Sequence, residues 1–330
     1  MSIKFSSYFD NWLNKNYYKN GVNIGKKGDF YTSVSVGALF GVTLAYHFLN
    51  LLKKGEFSPN ANIVEIGAND GSMMGDFISG IFTFQPEILK TLKFNIIEPH
   101  ANLRKIQTQN LKQKFGDEVT INHFLHLKEC KFDEAFFISN ELFDCFSCEV
   151  VDGDKMLYVK DDELFWDSAD KEILTACKKF EITKGEITTG LSEFAKDLAN
   201  STRKLKFITF DYGDMGSKGD ITLRIYKEHR VFSPFELGNL KEFFGASDIT
   251  YNLNFAQVRQ EFKDCGFDFK GFKKQSAAIV DFGGAEVLEY VLKNGGDSAY
   301  KNFLKQFKFL TSPEFLGERF KMIEFDKGMR

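Results

Sequence analysis

The stretch NIVEIGANDGSMMGDF, residues 62 to 77, constrains the fold more than any other. An apolar run ends in an acid at Glu65. Glycines follow at 67 and 71, and then a helix-like pattern begins. That is a strand, a tight turn and a helix, the opening of a βαβ unit. Strand and helix patterns then alternate: KFNIIEP a strand, HANLRKIQTQNLKQKF a helix, VTINHF a short strand and EAFFISNELF a longer one. Such alternation predicts an α/β fold, a Rossmann-like parallel sheet with crossover helices.

Other patterns flank this core. Residues 1 to 20 read as an amphipathic helix rich in Tyr and Phe. The loop GVNIGKKGDFYTS, an apolar helix near 35 to 52 and the linker KKGEFSPNAN follow. Between 149 and 168 the chain alternates, with turn signals at Asp152-Gly153 and Asp161-Asp162, which predicts an antiparallel insertion. A helix near 191 to 204 leads into the strand KFITFDYG. Residues 214 to 250 are irregular, with DITLRIY strand-like, and FAQVRQEFKDCG is a helix closed by Gly266. FDFKGF and SAAIVDF are expected as the last two strands, and the tail from 285 as one or two helices. The expected organisation is a helical, substrate-capping segment 1–58, a core of 59–148 and 205–284, an insertion 149–204 and a helical segment 285–330.

With 43 basic and 46 acidic residues the net charge is −3, which leaves no strong footprint for nucleic acid or anionic membrane. The N-terminus has neither a secretory pattern nor an Arg-rich organelle leader, and no apolar run reaches membrane-spanning length. The five cysteines suggest no disulfide framework. A reducing cytoplasm and no membrane insertion are the expectation. Cys145-x-x-Cys148 has no second pair to complete a zinc site. His123 and His126 fall on opposite faces of a strand, so no metal is expected.

In open α/β sheets, ligands sit beyond the carboxyl ends of strands at a topological switch point. The first strand here ends at Glu65-Ile66-Gly67, the second at Glu98. A carboxylate at the second tip can accept both hydroxyls of a ribose. Gly67 and Gly71 let the backbone approach a ligand closely. A dinucleotide asks for G-x-G-x-x-G, and here Asn69 stands at the second glycine, which disfavours a nicotinamide-dependent oxidoreductase. S-adenosylmethionine (SAM) carries a ribose without a phosphate, and an amino-acid end that needs polar groups, so it suits Glu65, Asp70 and Glu98 better. At a third tip, Asn140 and Glu141 would face the ligand's reactive end, or cap the helix that follows. Asp211-Tyr212-Gly213 forms a similar fourth tip.

Taken together, several segments make the chain similar to the MidA-like SAM-dependent methyltransferases, whose mitochondrial branch assists respiratory complex I assembly and methylates an arginine. They are Gly28-Asp29-Phe30-Tyr31-Thr32-Ser33, Leu39-Phe40-Gly41, the Glu65 to Gly71 loop, Glu98-Pro99, Asn140-Glu141-Leu142-Phe143-Asp144 and Asp211-Tyr212-Gly213. Ile221-Thr222-Leu223-Arg224 with His229, Asp248-Ile249-Thr250 and Gly317-Glu318-Arg319-Phe320-Lys321 complete the set. The resemblance implies a seven-stranded sheet with its last strand antiparallel and SAM at the first two tips. It also implies a covering loop at Gly28, Asp29 and Thr32, and Asn140 and Glu141 near the methyl-transfer end. The chain departs from the family at Asn69 (usually Gly), at Ser35 in place of Glu, at Val42 in place of Glu, and at Asn252 and Asn254 in place of His and Asp.

Methyl transfer is an in-line displacement that depends on positioning the nucleophile. Arginine stays protonated in proteins, so a carboxylate must hold the guanidinium and accept its charge as the proton leaves. Glu141, Asp144, Asp29 and the neighbouring Asn140 are the candidates, Glu141 first. The expected function is a SAM-dependent methyltransferase acting on a protein side chain, with a homodimer open to the helices outside the sheet. A SAM-binding assembly factor that has lost catalysis is the alternative.

Overall fold

The structure, a computed structural model, describes residues 2–18 and 32–329. The chain divides into two compact units, one of residues 31–140, 197–210 and 266–330, the other of 1–30, 141–196 and 211–265. The first unit is built on α1 (Leu39–Lys53), β1 (Asn62–Ile66), α2 (Ser72–Phe84), β2 (Lys93–Ile97), α3 (Ala101–Phe115), β3 (Ile121–Phe124) and β4 (Phe132–Asn140). It continues with β5 (Thr202–Asp214, whose last four residues belong to the other unit), β6 (Asp268–Lys274) and β7 (Phe320–Lys327).

The sheet runs in the order β6-β7-β5-β4-β1-β2-β3. Strands β1 to β5 pair in parallel wherever they adjoin, and β6 and β7 pair antiparallel. Seven strands lie on this path. An eighth, Leu253–Asn254, adds to it by pairing with Gly213 and Asp214 at the end of β5. All five residues of β1 are buried, as a parallel strand covered on both faces requires. A run of Phe48, Phe57, Phe77 and Phe136, with ring centroids 5.4 to 6.2 Å apart, fills one side of the sheet. Part of the chain's large Phe content thus serves as ordinary core. Gly41 and Gly80 let α1 and α2 approach: a Cβ on Gly80 would stand 2.7 Å from that of Ala45, and one on Gly41 2.8 Å from the Met73 carbonyl oxygen. Val42 is buried at the same contact, where a charged side chain would lose its water.

Two expectations at the C-terminal end are corrected. SAAIVDF is no strand but part of the helix Gln275–Asp281, and the tail is not all helix, because the last strand is β7. Gln275, Ala278, Ile279 and Phe282 are buried, a spacing of three, four and seven that belongs to a helix. The helices Gly284–Asn294 and Gly296–Thr311 precede β7.

In the second unit the expected antiparallel insertion is present. Cys148–Asp152, Lys155–Lys160 and Glu163–Ser168 form successive hairpins, and Lys184–Thr188 adds to the free side of the first. Asp161 and Asp162 both have positive φ, the geometry of a two-residue hairpin turn. The helix Phe5–Trp12 buries Phe5, Tyr8, Phe9 and Trp12, and the Trp12 indole donates to the Ser247 carbonyl at 2.7 Å.

One buried charge ties β5 to β7. Lys206 Nζ lies 2.6 Å from Glu324 and 2.7 Å from Asp326, with its side chain only 4% exposed. Burial works to lower its pKa, but the two carboxylates outweigh it and hold the amine above its usual range. Lys206→Met removes the nearest cation from these acids, Lys270 lying 3.9 Å from Asp326, and is expected to cost about 3–5 kcal/mol in urea denaturation. Lys293→Ala, which removes the exposed pair with Glu289, should not move the midpoint. A loss under about 1 kcal/mol for Lys206→Met would mean that the buried network contributes little net stability.

Candidate active site

The switch point falls between β1 and β4. From β1 the chain crosses to β2 on one side, while β4 lies on the other. Beyond β1 the turn takes three left-handed residues, Gly67 at φ 71°, Asn69 at φ 47° and Gly71 at φ 84°. Asn is the side chain that tolerates this region best after glycine, so Asn69 keeps the backbone where the related families place Gly. Asp70 Oδ1 accepts the Ser72 N–H at 3.0 Å and starts α2, while Gly67 N–H donates to the Ile97 carbonyl and ties the turn to β2.

Two carboxylates stand at the tips of β1 and β2, both about 2% exposed. Glu65 is pushed up to about 8, chiefly by burial; a hydrogen bond from the Met74 backbone opposes this, and Asp70, Asp76 and Glu98 add to it. Among the described residues its Oε2 has no hydrogen-bond partner. A buried carboxyl oxygen with no partner is costly, and a bound polar or cationic group would relieve it. Glu98 accepts the His100 N–H at 3.0 Å and the Gln107 amide at 3.3 Å, and burial raises its pKa. The turn and the two acids therefore fit a ligand with a cationic end and vicinal hydroxyls, which is SAM.

In the same unit, Thr32 caps the helix Ser33–Val36. Its Oγ1 accepts the Ser35 N–H at 3.2 Å, and Ser35 Oγ accepts the Thr32 N–H at 2.9 Å. Ser35 thus returns the second bond of a capping box, a role that Glu also fills. Asn140 ends β4, paired with Phe210. Gly28 and Asp29 lie outside the described residues.

Glu141 belongs to the second unit, and its φ of 52° is uncommon for a side chain of its size and marks a strained position. Asp144 is buried. It accepts hydrogen bonds from the Tyr212 hydroxyl, from Thr250 Oγ1 at 3.4 Å and from Cys145 Sγ at 3.3 Å. Burial raises its pKa against the Tyr212 bond. Asp211 accepts three backbone N–H groups, from Phe143, Asp144 and Tyr212, at 2.9 to 3.2 Å, and so shapes the turn after Glu141. Its pKa lies well above the usual range, through burial first and the Asp144 charge second. Arg224 lies over the rings of Tyr212 and Tyr226 and donates to Asn252 Oδ1 at 2.9 Å. Asn254 Oδ1 caps the helix Phe255–Asp264 by accepting the Ala256 and Gln257 N–H groups, as an Asp there would.

Of the carboxylates expected from sequence, Asp144 is spent inside the protein, whereas Glu141 is half-buried at a strained turn. Sequence reasoning passed over Gln107 and the partners of Tyr212. A glutamine nine residues after Glu98, on the buried face of α3, was the one available signal. The five cysteines are free thiols, and among the described residues no group of His, Cys, Asp and Glu is placed to hold a metal.

The strand order, the switch between β1 and β4 and the acid at each of the first two tips define a SAM-dependent methyltransferase. Residues 43–273 match the family model described as "Putative S-adenosyl-L-methionine-dependent methyltransferase". The chain belongs to that family, and SAM is its cofactor. Its sequence is 24% identical to the mitochondrial protein arginine methyltransferase NDUFAF7 of Rattus norvegicus and 23% to that of Homo sapiens. Each alignment covers 93% of this chain and 76% or 75% of the relative. The fold superposes with a TM-score of 0.82 on a COG1565 superfamily member from Burkholderia thailandensis bound to S-adenosyl-homocysteine. That pair is 19% identical, over 100% of this chain and 89% of the other.

The raised pKa of Glu65 has a consequence for stability. Between the ordinary value of 4.5 and about 8 the folded state holds a proton that the unfolded state has lost. Stability of the ligand-free protein should therefore fall as pH rises through this window, by about 1 kcal/mol per unit, and level off above it. Glu65→Gln removes that slope. Urea denaturation of both proteins from pH 5 to 9 checks this; an unchanged slope in the variant would assign the titration to other groups.

Proposed function

We propose that this methyltransferase modifies arginine side chains of a protein. Glu141 supports the choice, as a carboxylate held at positive φ directly after the switch-point strand. The names of the relatives, protein arginine methyltransferases, support it as well. Glu98 would accept the ribose hydroxyls. Glu65 and the turn at Gly67, Asn69, Asp70 and Gly71 would hold the amino-acid end, with Asn140 and Thr32 completing the cofactor site. The bound cofactor supplies a methyl group on a sulfonium. Glu141 would hold the substrate guanidinium, orient one nitrogen and take up its proton as the nitrogen–carbon bond forms and the methyl parts from its sulfur, which is left as a neutral thioether. Asp144, with its oxygens engaged by Tyr212, Thr250 and Cys145, would keep the turn in shape and touch no substrate.

Three of the five departures from the family keep a local backbone role. Asn69 retains the left-handed turn, and Ser35 and Asn254 retain their caps. We also propose a reducing compartment, the cytoplasm, supported by the free thiols; the relatives' names place those proteins in mitochondria. No helix among the described residues is long and apolar enough to cross a membrane. For a second copy of the chain we propose the face of α2 and the helix Gly284–Asn294, where Phe82, Tyr290 and Leu292 are exposed.

Incubating the enzyme with methyl-labelled SAM and cell protein should put label into methylarginine. Glu141→Gln should lower that turnover by about a hundredfold or more while SAM affinity stays within about threefold. Label in another residue type would overturn the arginine assignment. No incorporation by the natural enzyme would favour the assembly-factor alternative. Parallel loss of turnover and SAM affinity would make Glu141 a cofactor ligand or a structural residue.

A further inference from the structure

Gln107 is fully buried on α3 and joins three parts of the cofactor cradle. Its Nε2 donates to the Asn69 carbonyl at 2.8 Å and to Glu98 Oε2 at 3.3 Å, while its Oε1 lies 3.0 Å from His123 Nε2 on β3. The first two partners only accept, which fixes the amide the way round it is drawn. His123 must then donate from Nε2. Burial, and then Arg104, lower the His123 pKa, which favours the neutral ring.

The result for Glu98 is specific. Oε1 takes the His100 N–H and Oε2 takes Gln107. A carboxylate offers about two acceptor sites on each oxygen. Among the described residues' bonds, one site therefore remains on each oxygen, the number that two vicinal hydroxyls need. Asn110, one helical turn beyond Gln107, donates to the Asp70 carbonyl at 2.9 Å and anchors the same turn without touching Glu98.

We propose that Gln107, held by His123, is a positioning residue that orients the Glu98 carboxylate and so sets the enzyme's selectivity for a ribose bearing its 2′-hydroxyl. The proposal rests on the assignment of Glu98 to the ribose. Without Gln107 the carboxylate is free to turn, and the hydroxyls lose a fixed acceptor.

The test titrates S-adenosylhomocysteine and its 2′-deoxy analogue into the natural enzyme, Gln107→Met and Asn110→Ala, and compares the ratio of the two affinities. The natural enzyme is expected to prefer the ribose form by about tenfold or more, the usual size for a hydrogen bond to a charged group. In Gln107→Met the ratio should fall below about threefold, and in Asn110→Ala both ligands should weaken together with the ratio kept. Should Gln107→Met fail to fold, His123→Phe, which frees the amide to turn over, takes its place with the same expected fall. A natural ratio in the Gln107 or substitute variant overturns the inference alone. An equal fall in Asn110→Ala also overturns it, because anchoring of the turn would then be the cause. A natural enzyme with no preference overturns the ribose assignment of Glu98 and the inference with it.

Discussion

The cofactor cradle depends on a carboxylate placed at the end of a strand that has no solvent-facing side. β1 is buried along its whole length, and Glu65 lies within it. Parallel pairing on both flanks fixes the register, so Glu65 cannot move toward water without breaking the ladder to β2 and β4. The turn that follows has to reverse the chain within a few residues, which calls for the left-handed backbone at Gly67, Asn69 and Gly71. Folding therefore leaves a carboxyl oxygen with no partner among the described residues, one that a cationic ligand would satisfy. Stability given up in the free protein becomes binding energy when the ligand arrives.

The second carboxylate is arranged in the opposite way. Glu98 is held by a backbone N–H and a buried amide, and that amide also reaches the turn beyond β1. One acid is left wanting a partner and the other is oriented to receive a particular pair. Similar economy marks the differences from related sequences. Each replaced residue with a local backbone duty, Asn69, Ser35 or Asn254, performs it with a different side chain. Val42 is instead an apolar residue at a tight helix contact.

Much of this was legible in the sequence. The alternation of strand and helix from 62 to 140 predicted the parallel sheet, and the acids at 65 and 98 predicted the two tips. The turn signals at 152–153 and 161–162 predicted the hairpins. Two kinds of information were not legible. SAAIVDF is short and apolar, and its helical spacing shows only when Gln275 and Phe282 are counted with it; the strand at 320–327 lies beyond two helices, far in sequence from its partner β5. The occupancy of side chains is also set by tertiary contact. Asp144 and Glu141 look alike in a motif, but only the fold commits Asp144 to Tyr212 and Thr250. Gln107 likewise reads as one more polar residue of a polar helix until Asn69, Glu98 and His123 are seen around it.

The central claim is that the β1 and β2 tips form a working SAM site despite Asn69. Isothermal titration of the purified protein with SAM, S-adenosylhomocysteine and NAD in parallel tests it most directly. The account predicts saturable one-to-one binding of SAM and S-adenosylhomocysteine, with none of NAD. Absence of binding by both SAM and its product, in protein shown to be folded, would contradict it.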